Sequence, residues 1–261
     1  MTVTREVLAY YTQDLEHERL REGRGRLEFW RTQDVLRRTL PPPPARVLDV
    51  GGGTGVHAEW LLADGYEVDL LDPVPLHVER AARLPGVRAG VGDARRLPVP
   101  DRSVDAVLLL GPLYHLPDRA DRVRALAEAR RVVRPGGLVA AATINRYAAV
   151  LDTVNLGTYL DERQREAAHA AAADGVMLSP RRGFSAYFHD PGEVPREFAD
   201  AGFPDVRHYG LEGAFWLYGD VDAWLDDPGR RALLLDAQRS MESEPSLLGV
   251  SGHLLTVATA G

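Results

Sequence analysis

The sequence of 261 residues has no cysteine and no lysine, and all 31 of its basic residues are arginine. The absence of cysteine excludes disulfides, thiol nucleophiles and thiolate metal sites. The sequence shows neither an apolar signal core nor a long apolar span, so we expect a cytoplasmic protein. The net charge of -7 argues against an extended surface for nucleic-acid phosphates. The length allows one large domain, or a core with an added subdomain.

A short apolar run that ends at Asp49 predicts a buried strand, and residues 57–63 predict the first turns of a helix. Between them lie three glycines at alternate positions, which are Gly51, Gly53 and Gly55. Glycine adopts backbone angles that other residues avoid, and it lets a ligand approach the main chain. A helix start after such a turn offers free N–H groups, as in nucleotide-type binding sites. A tight turn without a ligand is the alternative.

The dinucleotide pattern G-x-G-x-x-G would need a glycine at position 56, where the chain has Val56. What remains is G-x-G-x-G after an acidic residue, which resembles the first motif of class I S-adenosylmethionine-dependent methyltransferases. The segment that begins Gly92-Asp93-Ala94 and continues through Leu97-Pro98 to Ser103-Val104-Asp105 is similar to a second segment of that family. The R-P-G-G break at 134–137 also resembles the family. The resemblance covers residues 46–145 strongly and the C-terminal part weakly.

Strand and helix patterns alternate from residue 46 to residue 144, which predicts a doubly wound α/β fold with a parallel sheet. The predicted strands after the first lie at 67–71, 87–91, 106–110 and 138–144. The resemblance implies a mostly parallel, seven-stranded, Rossmann-like sheet in the order 3-2-1-4-5-7-6, with its last strands at 205–211 and 253–259.

Four segments are predicted along the chain: an N-terminal helical cap at 1–45, a cofactor-binding core at 46–145, a lid insertion at 146–190 and a C-terminal part of the core at 191–261. No strand is expected within 146–190. A polar helix is predicted there, at 161–173. We expect the cap and the lid to close over the bound cofactor.

S-Adenosylmethionine is the cofactor that the resemblance implies. Asp72 follows the glycines at the spacing of a carboxylate that binds both ribose hydroxyls. The alternative is a helix N-cap, because Pro73 suits the first helical position. By resemblance, Asp93 contacts the adenine amino group and the Ala94 N–H faces the ring. The complete predicted cofactor site comprises Tyr11, Asp49, Gly51, Gly53, Gly55, Asp72, Pro73, Asp93, Ala94 and Leu110.

His115 is the predicted general base, since it follows strand four and an unperturbed imidazole is largely neutral at pH 7. The alternative is that His115 only packs the loop. Tyr114 is expected in the same pocket as a wall or a hydrogen-bond donor. His189, beside Asp190, is a weaker candidate base, and a surface histidine is the alternative there. The histidines show no metal-ligand spacing, so we expect no metal and a metal-independent reaction.

Aromatic residues collect in the segments that are expected to cover the ligand, which indicates a small, partly apolar methyl acceptor. The predicted substrate pocket comprises Trp30, Tyr147, Phe184, Tyr187 and Phe215. We therefore expect methyl transfer to an oxygen, nitrogen or carbon atom of a small metabolite, with neither a nucleic-acid nor a membrane partner. The alternatives are an RNA methyltransferase and a non-catalytic protein that binds S-adenosylmethionine to regulate.

Overall fold

The structure is a computed structural model that describes residues 20–23, 25–178 and 185–261. Five parallel strands form the centre of its sheet in the order β3-β2-β1-β4-β5. Their bounds are Arg46–Val50 for β1, Glu67–Asp72 for β2, Val87–Val91 for β3, Val104–Leu109 for β4 and Val133–Asn145 for β5. The carboxyl ends of these strands meet at one side of the sheet, which we call the carboxyl edge.

Two further strands complete the predicted sheet. Strand β9 (His253–Thr259) pairs antiparallel with β5, and β8 (Val206–Gly210) pairs antiparallel with β9. These two strands are the seventh and sixth of the predicted order 3-2-1-4-5-7-6, which is confirmed. Because β9 runs against β5, its first residue lies at the carboxyl edge, opposite Ile144.

The expectation that 146–190 contains no sheet element is wrong. Strand β7 (Ser185–His189) pairs parallel with the last residues of β5, and β6 (Val176–Leu178) pairs antiparallel with β7. The cause is the length of β5, which runs beyond the level of β4 and offers free main-chain groups to a new neighbour. The two strands raise the sheet to nine strands within the described residues.

Helices cover both faces of the sheet and its carboxyl edge. In chain order they are α1 (Gly25–Thr39), α2 (Val56–Ala63), α3 (Pro75–Ala81), α4 (Arg119–Val132), α5 (Ala148–Asn155), α6 (Glu162–Asp174), α7 (Glu193–Asp200), α8 (Val221–Asp226), α9 (Pro228–Arg239) and α10 (Pro245–Leu248). Among the described residues, no helix is long and apolar enough to cross a membrane.

The core has three parts. Side chains of α4 and α7, such as Leu126 and Phe198, pack with Val107 on one face of the sheet. Side chains of α1 and α2 pack on the opposite face. A third apolar cluster, which contains Leu27 and Trp216, lies among helices α1, α5, α6, α8 and α9. Helices therefore pack on both faces of the sheet, and the glycine-rich turn at 51–55 joins β1 to one of them, α2.

Helix α1 is part of the packed core. Arg31 is fully buried, and its guanidinium donates to the carboxylates of Asp34 and Glu242 and to the Leu211 carbonyl. These bonds join α1 to the segment between β8 and β9. Helix α1 lies within the predicted helical cap at 1–45, and residues 1–19 of that segment lie outside the described residues.

Candidate functional site

The glycine turn after β1 combines a tight contact with an open position. Gly51, Gly53 and Gly55 have φ values of 70°, 57° and 95°, which are left-handed angles that favour glycine. A Cβ atom added to Gly51 would lie 2.8 Å from Cγ of Pro112, so this residue touches the turn after β4. A Cβ added to Gly53 would meet nothing within 4 Å. The space beside the Cα atom of Gly53 is therefore open to a ligand.

Asp72 connects the glycine turn to the loop after β2. Its Oδ2 accepts from the Gly53 N–H at 2.9 Å, and its Oδ1 accepts from the Val74 N–H at 2.9 Å and lies 3.1 Å from Nδ1 of His77. Helix α3 begins at Pro75 with Val74 as its N-cap, so Pro73 does not start the helix. The N-cap alternative for Asp72 is therefore not what the chain adopts.

Asp49 is a buried acid below the same turn. Its side chain is 1% exposed, and neither carboxylate oxygen has a hydrogen-bond partner among the described residues. A Cβ on Gly52 would lie 2.5 Å from its Oδ2, so the turn lies directly over the carboxylate. Burial, together with the nearby charge of Asp72, raises the pKa of Asp49 to about 7. A cationic ligand group close to this turn would stabilise the ionised carboxylate.

Asp93 and Ala94 follow β3 as the sequence predicts, and a partner that the sequence analysis missed holds the acid. Oδ1 of Asp93 accepts from the Arg95 N–H at 2.9 Å, and Oδ2 accepts from the Arg95 guanidinium at 2.6 Å. Burial acts to raise the pKa of Asp93, but the hydrogen bonds from Arg95 prevail and lower it. Ala94 is buried in the core. Asp93 is thus a fixed carboxylate at the edge of the sheet.

The chain leaves β4 at Leu110 and makes a 3-10 turn over Pro112–His115. Tyr114 bends back over the end of the strand, and its hydroxyl lies 3.5 Å from the Leu110 carbonyl oxygen. The rings of Tyr114 and His115 meet edge to face, with 4.6 Å between their centroids. His115 is half-buried. The predicted catalytic pair therefore lies beside the glycine turn, on the side of Pro112.

A buried arginine holds this turn in place. Arg122 is 2% exposed and donates to the carbonyl oxygens of Leu116 at 2.9 Å and Pro117 at 2.8 Å. The same guanidinium donates to Glu197 at 2.8 Å and stacks 3.7 Å above the Tyr187 ring. The loop that carries His115 is thus fixed by α4 and α7, an arrangement that the sequence analysis missed.

The surface alternative for His189 is wrong. The side chain is fully buried, and its Nε2 lies 3.4 Å from Oε2 of Glu197. Burial lowers the pKa of His189. The reason is that β7 extends the sheet, which places His189 inside the molecule; its acidic partner is Glu197, and the expected pairing with Asp190 is not observed.

The predicted substrate-pocket residues have different surroundings. Trp30 and Phe215 pack against the third apolar cluster, and the Arg231 guanidinium lies 4.2 Å from the Trp30 ring. Tyr147 is half exposed at the start of α5, and Tyr187 donates to Glu193 at 3.2 Å. Phe184 and Tyr11 lie outside the described residues.

Three further polar side chains meet at the carboxyl edge, and the sequence analysis missed all of them. Nδ1 of His253 lies 2.6 Å from Oε1 of Glu212 and 3.6 Å from Oε2 of Glu28. The three residues come from β9, from the loop after β8 and from α1. They are far apart in the sequence, so spacing gave no signal for them.

A cavity of about 300 Å³ lies elsewhere, beside Arg102, Arg130 and Pro135. Arg102 lies just before β4, Arg130 near the end of α4 and Pro135 near the start of β5, so the cavity is at the edge opposite the glycine turn. The acids and glycines described above converge on the carboxyl edge, which is therefore the candidate site.

The methyltransferase domain family matches residues 48–141. Over 185 residues the chain is 31% identical to the demethylmenaquinone methyltransferase of Roseiflexus castenholzii, an alignment that covers 69% of this chain and 76% of that relative. The chain belongs to the class I S-adenosylmethionine-dependent methyltransferases. The methyltransferase is also 46% identical over 100 residues to an uncharacterized methyltransferase of Mycobacterium tuberculosis, a match that covers 38% of this chain and only 39% of that relative's length.

The fold agrees with this membership. The methyltransferase from Haloferax volcanii, solved in complex with the Trm112 methyltransferase activator, superposes with a TM-score of 0.63 at 22% identity, covering 99% of each chain. At this identity the likeness concerns the fold alone.

Proposed function

We propose that this methyltransferase transfers a methyl group to an oxygen, nitrogen or carbon atom of a small, partly apolar metabolite. The observation that carries the proposal is that Trp30 and Phe215, two of the predicted pocket aromatics, are only partly buried where they pack against the third apolar cluster. Aromatic surfaces of this kind suit a small acceptor with an apolar part. The Roseiflexus castenholzii relative supports the proposal, since its name specifies a small-molecule acceptor, demethylmenaquinone.

The residues of the glycine turn fit the methyl donor. The space beside the Cα atom of Gly53 is open, and Asp49 is a buried acid without a hydrogen-bond partner among the described residues. When bound, S-adenosylmethionine supplies an electrophilic methyl group on a sulfonium centre, and its methionine part carries an ammonium group. In this proposal Asp49 stabilises that ammonium, Asp72 accepts from the ribose hydroxyls and Asp93 accepts from the adenine amino group.

On the acceptor side we assign His115 the role of general base and Tyr114 that of a pocket wall. The support is positional, because both residues lie on the turn that touches Gly51 through Pro112. Arg122 fixes the main chain directly after that turn, which would keep His115 in place beside the acceptor. The packing role of His115 stays the alternative.

An acceptor screen tests this function. The protein is incubated with methyl-labelled S-adenosylmethionine and separate panels of phenols, quinols and amines, with bulk RNA as a further arm and an acceptor-free blank. We expect label in a small molecule, with one S-adenosylhomocysteine formed for each methyl transferred. Label in RNA alone would support the RNA alternative. Tight cofactor binding with no transfer in any arm would support the regulatory one.

A further inference from the structure

We propose that Glu28, Glu212 and His253 form a binding site for a divalent transition-metal ion, Zn²⁺ or Mn²⁺. One donor atom from each residue lies within 4.8 Å of the other two. We call these residues the Glu-Glu-His cluster. An imidazole nitrogen with two carboxylate oxygens is a donor set that both ions accept.

The cluster is built on rigid parts of the fold. Glu212 follows β8 with a side chain 4% exposed, and His253 opens β9. Oε2 of Glu212 accepts from the His253 main-chain N–H at 2.8 Å and lies 3.0 Å from the Ser251 hydroxyl. Glu28 comes from the first turn of α1 and is 12% exposed. The donors are therefore held by three separate elements before any ion binds.

Two of the three distances within the cluster are close to those that a small cation requires. Ligand atoms that bind zinc at about 2.0–2.2 Å lie roughly 3–3.6 Å from one another. The 3.6 Å between Nδ1 of His253 and Oε2 of Glu28 already fits this range. The 2.6 Å between Nδ1 and Oε1 of Glu212 is a hydrogen bond that would open by less than about 1 Å, with loss of the shared proton.

The chemistry of the donors favours a cation as well. Two of the three donor groups are carboxylates, whose ionised form attracts a divalent cation.

Helix α1, which carries Glu28, also contacts the helix that follows the glycine turn. Phe29, the neighbour of Glu28, packs on His57 at 5.5 Å between ring centroids, and His57 is the second residue of α2. Three protein ligands leave a coordination position for a further oxygen. We assign that position to an oxygen of the methyl acceptor, which departs from the metal-independent reaction expected from the sequence. This role rests on the proposed function, whereas metal binding does not.

Calorimetric titration of chelator-treated, tag-free protein with ZnCl₂ and with MnCl₂ tests the site. We expect one ion per chain, with a buffer-dependent heat that reports release of a proton. Glu28→Gln and His253→Asn should each weaken binding at least about 10-fold, since each removes one of three ligands. Glu59→Gln and His169→Asn, which alter an exposed acid and an exposed histidine, are the matched controls.

Titration of every variant with S-adenosylhomocysteine shows whether that variant is folded. Because neither titration needs a methyl acceptor, failure of the metal site is distinguishable from failure of the proposed function. The inference is overturned if the wild-type protein shows no saturable one-to-one binding of either ion. It is overturned equally if the Glu28 and His253 variants bind as tightly as the two controls. The electron paramagnetic resonance spectrum of Mn²⁺ is a second readout. The signal of the bound ion should vanish in His253→Asn and persist in the control His169→Asn.

Discussion

Asp49 should make the unliganded protein less stable as the pH rises. Its carboxyl has an ordinary pKa of 3.8, which burial first and Asp72 second raise to about 7 in the folded chain. Below about pH 4 both the folded and the unfolded chain hold the proton, so the group has no net effect there. Between about pH 4 and about pH 7 only the unfolded chain releases it, and the free energy of unfolding falls.

The size of the effect follows from the difference between the two pKa values. Each pH unit in that window costs about 1.4 kcal/mol, so the complete change is of the order of 4 kcal/mol. Asp49→Asn keeps the shape of the side chain below Gly52 and removes the ionisation. The variant should therefore gain stability over the wild-type protein as the pH rises, and the gain should level off above about pH 7.

Urea unfolding of both proteins at pH 5 and at pH 8, without cofactor, measures this difference. Other acids with lowered pKa values, such as Asp34 and Glu197, give the opposite trend, but they are common to both proteins and cancel in the comparison. A difference in unfolding free energy that is the same at the two pH values would refute the argument. It would show that Asp49 reaches a partner or solvent in the folded protein.

Three further predictions concern the same edge of the sheet. Asp72→Asn should weaken S-adenosylhomocysteine binding about 10–100-fold, because charge-assisted hydrogen bonds are lost. The control Asp69→Asn, on the same strand, loses only ion pairs with arginines and should bind normally. Calorimetry measures both affinities, and equal values would exclude Asp72 from the ribose site. In urea unfolding, Gly51→Ala and Gly53→Ala should each lower the free energy of unfolding by about 1–2 kcal/mol, because alanine disfavours the left-handed angle. The loss should be larger for Gly51→Ala, since its Cβ meets Pro112. Equal losses would argue against that contact. Once an acceptor is found, His115→Ala should lower turnover about 10²–10⁴-fold at nearly unchanged cofactor affinity, and near-normal turnover would leave His115 with the packing role.

The sequence was most informative where a local pattern marks a strand. Strands β3 and β9 occupy the predicted residues, and the order of the sheet agrees with the resemblance. Strand β5 begins at Val133, five residues before the prediction, because Val133 pairs with Val104 while Gly136 adopts a left-handed angle of 78°. A glycine-rich break in the sequence does not by itself end the pairing of a strand.

Tertiary contacts explain what the sequence analysis missed. Strand β6 is three residues long, and β7 forms because the end of β5 provides a partner that no local pattern reveals. The helices between β8 and β9 were also missed. Helices α8 and α10 have six and four residues and too few turns to show a period. Helix α9 has 12 residues, but its buried residues are only Leu234 and Gln238, which is too sparse for an apolar stripe. Long-range polar pairs, such as Arg122 with Glu197, have no spacing rule at all.

The pairing of α1 with α9 has a consequence for the design of chimeric proteins. Arg38 donates to Glu242, and Arg239 pairs with Asp34, so α1 and the segment after β8 carry complementary halves of one buried ion network around Arg31. A recombinant that takes residues before 45 from a relative would leave Glu242 buried opposite foreign side chains, and breaking a buried pair in this way is strongly destabilising. The units that can be exchanged as a block are therefore discontinuous in the sequence: residues 25–40 have to travel together with residues 228–250.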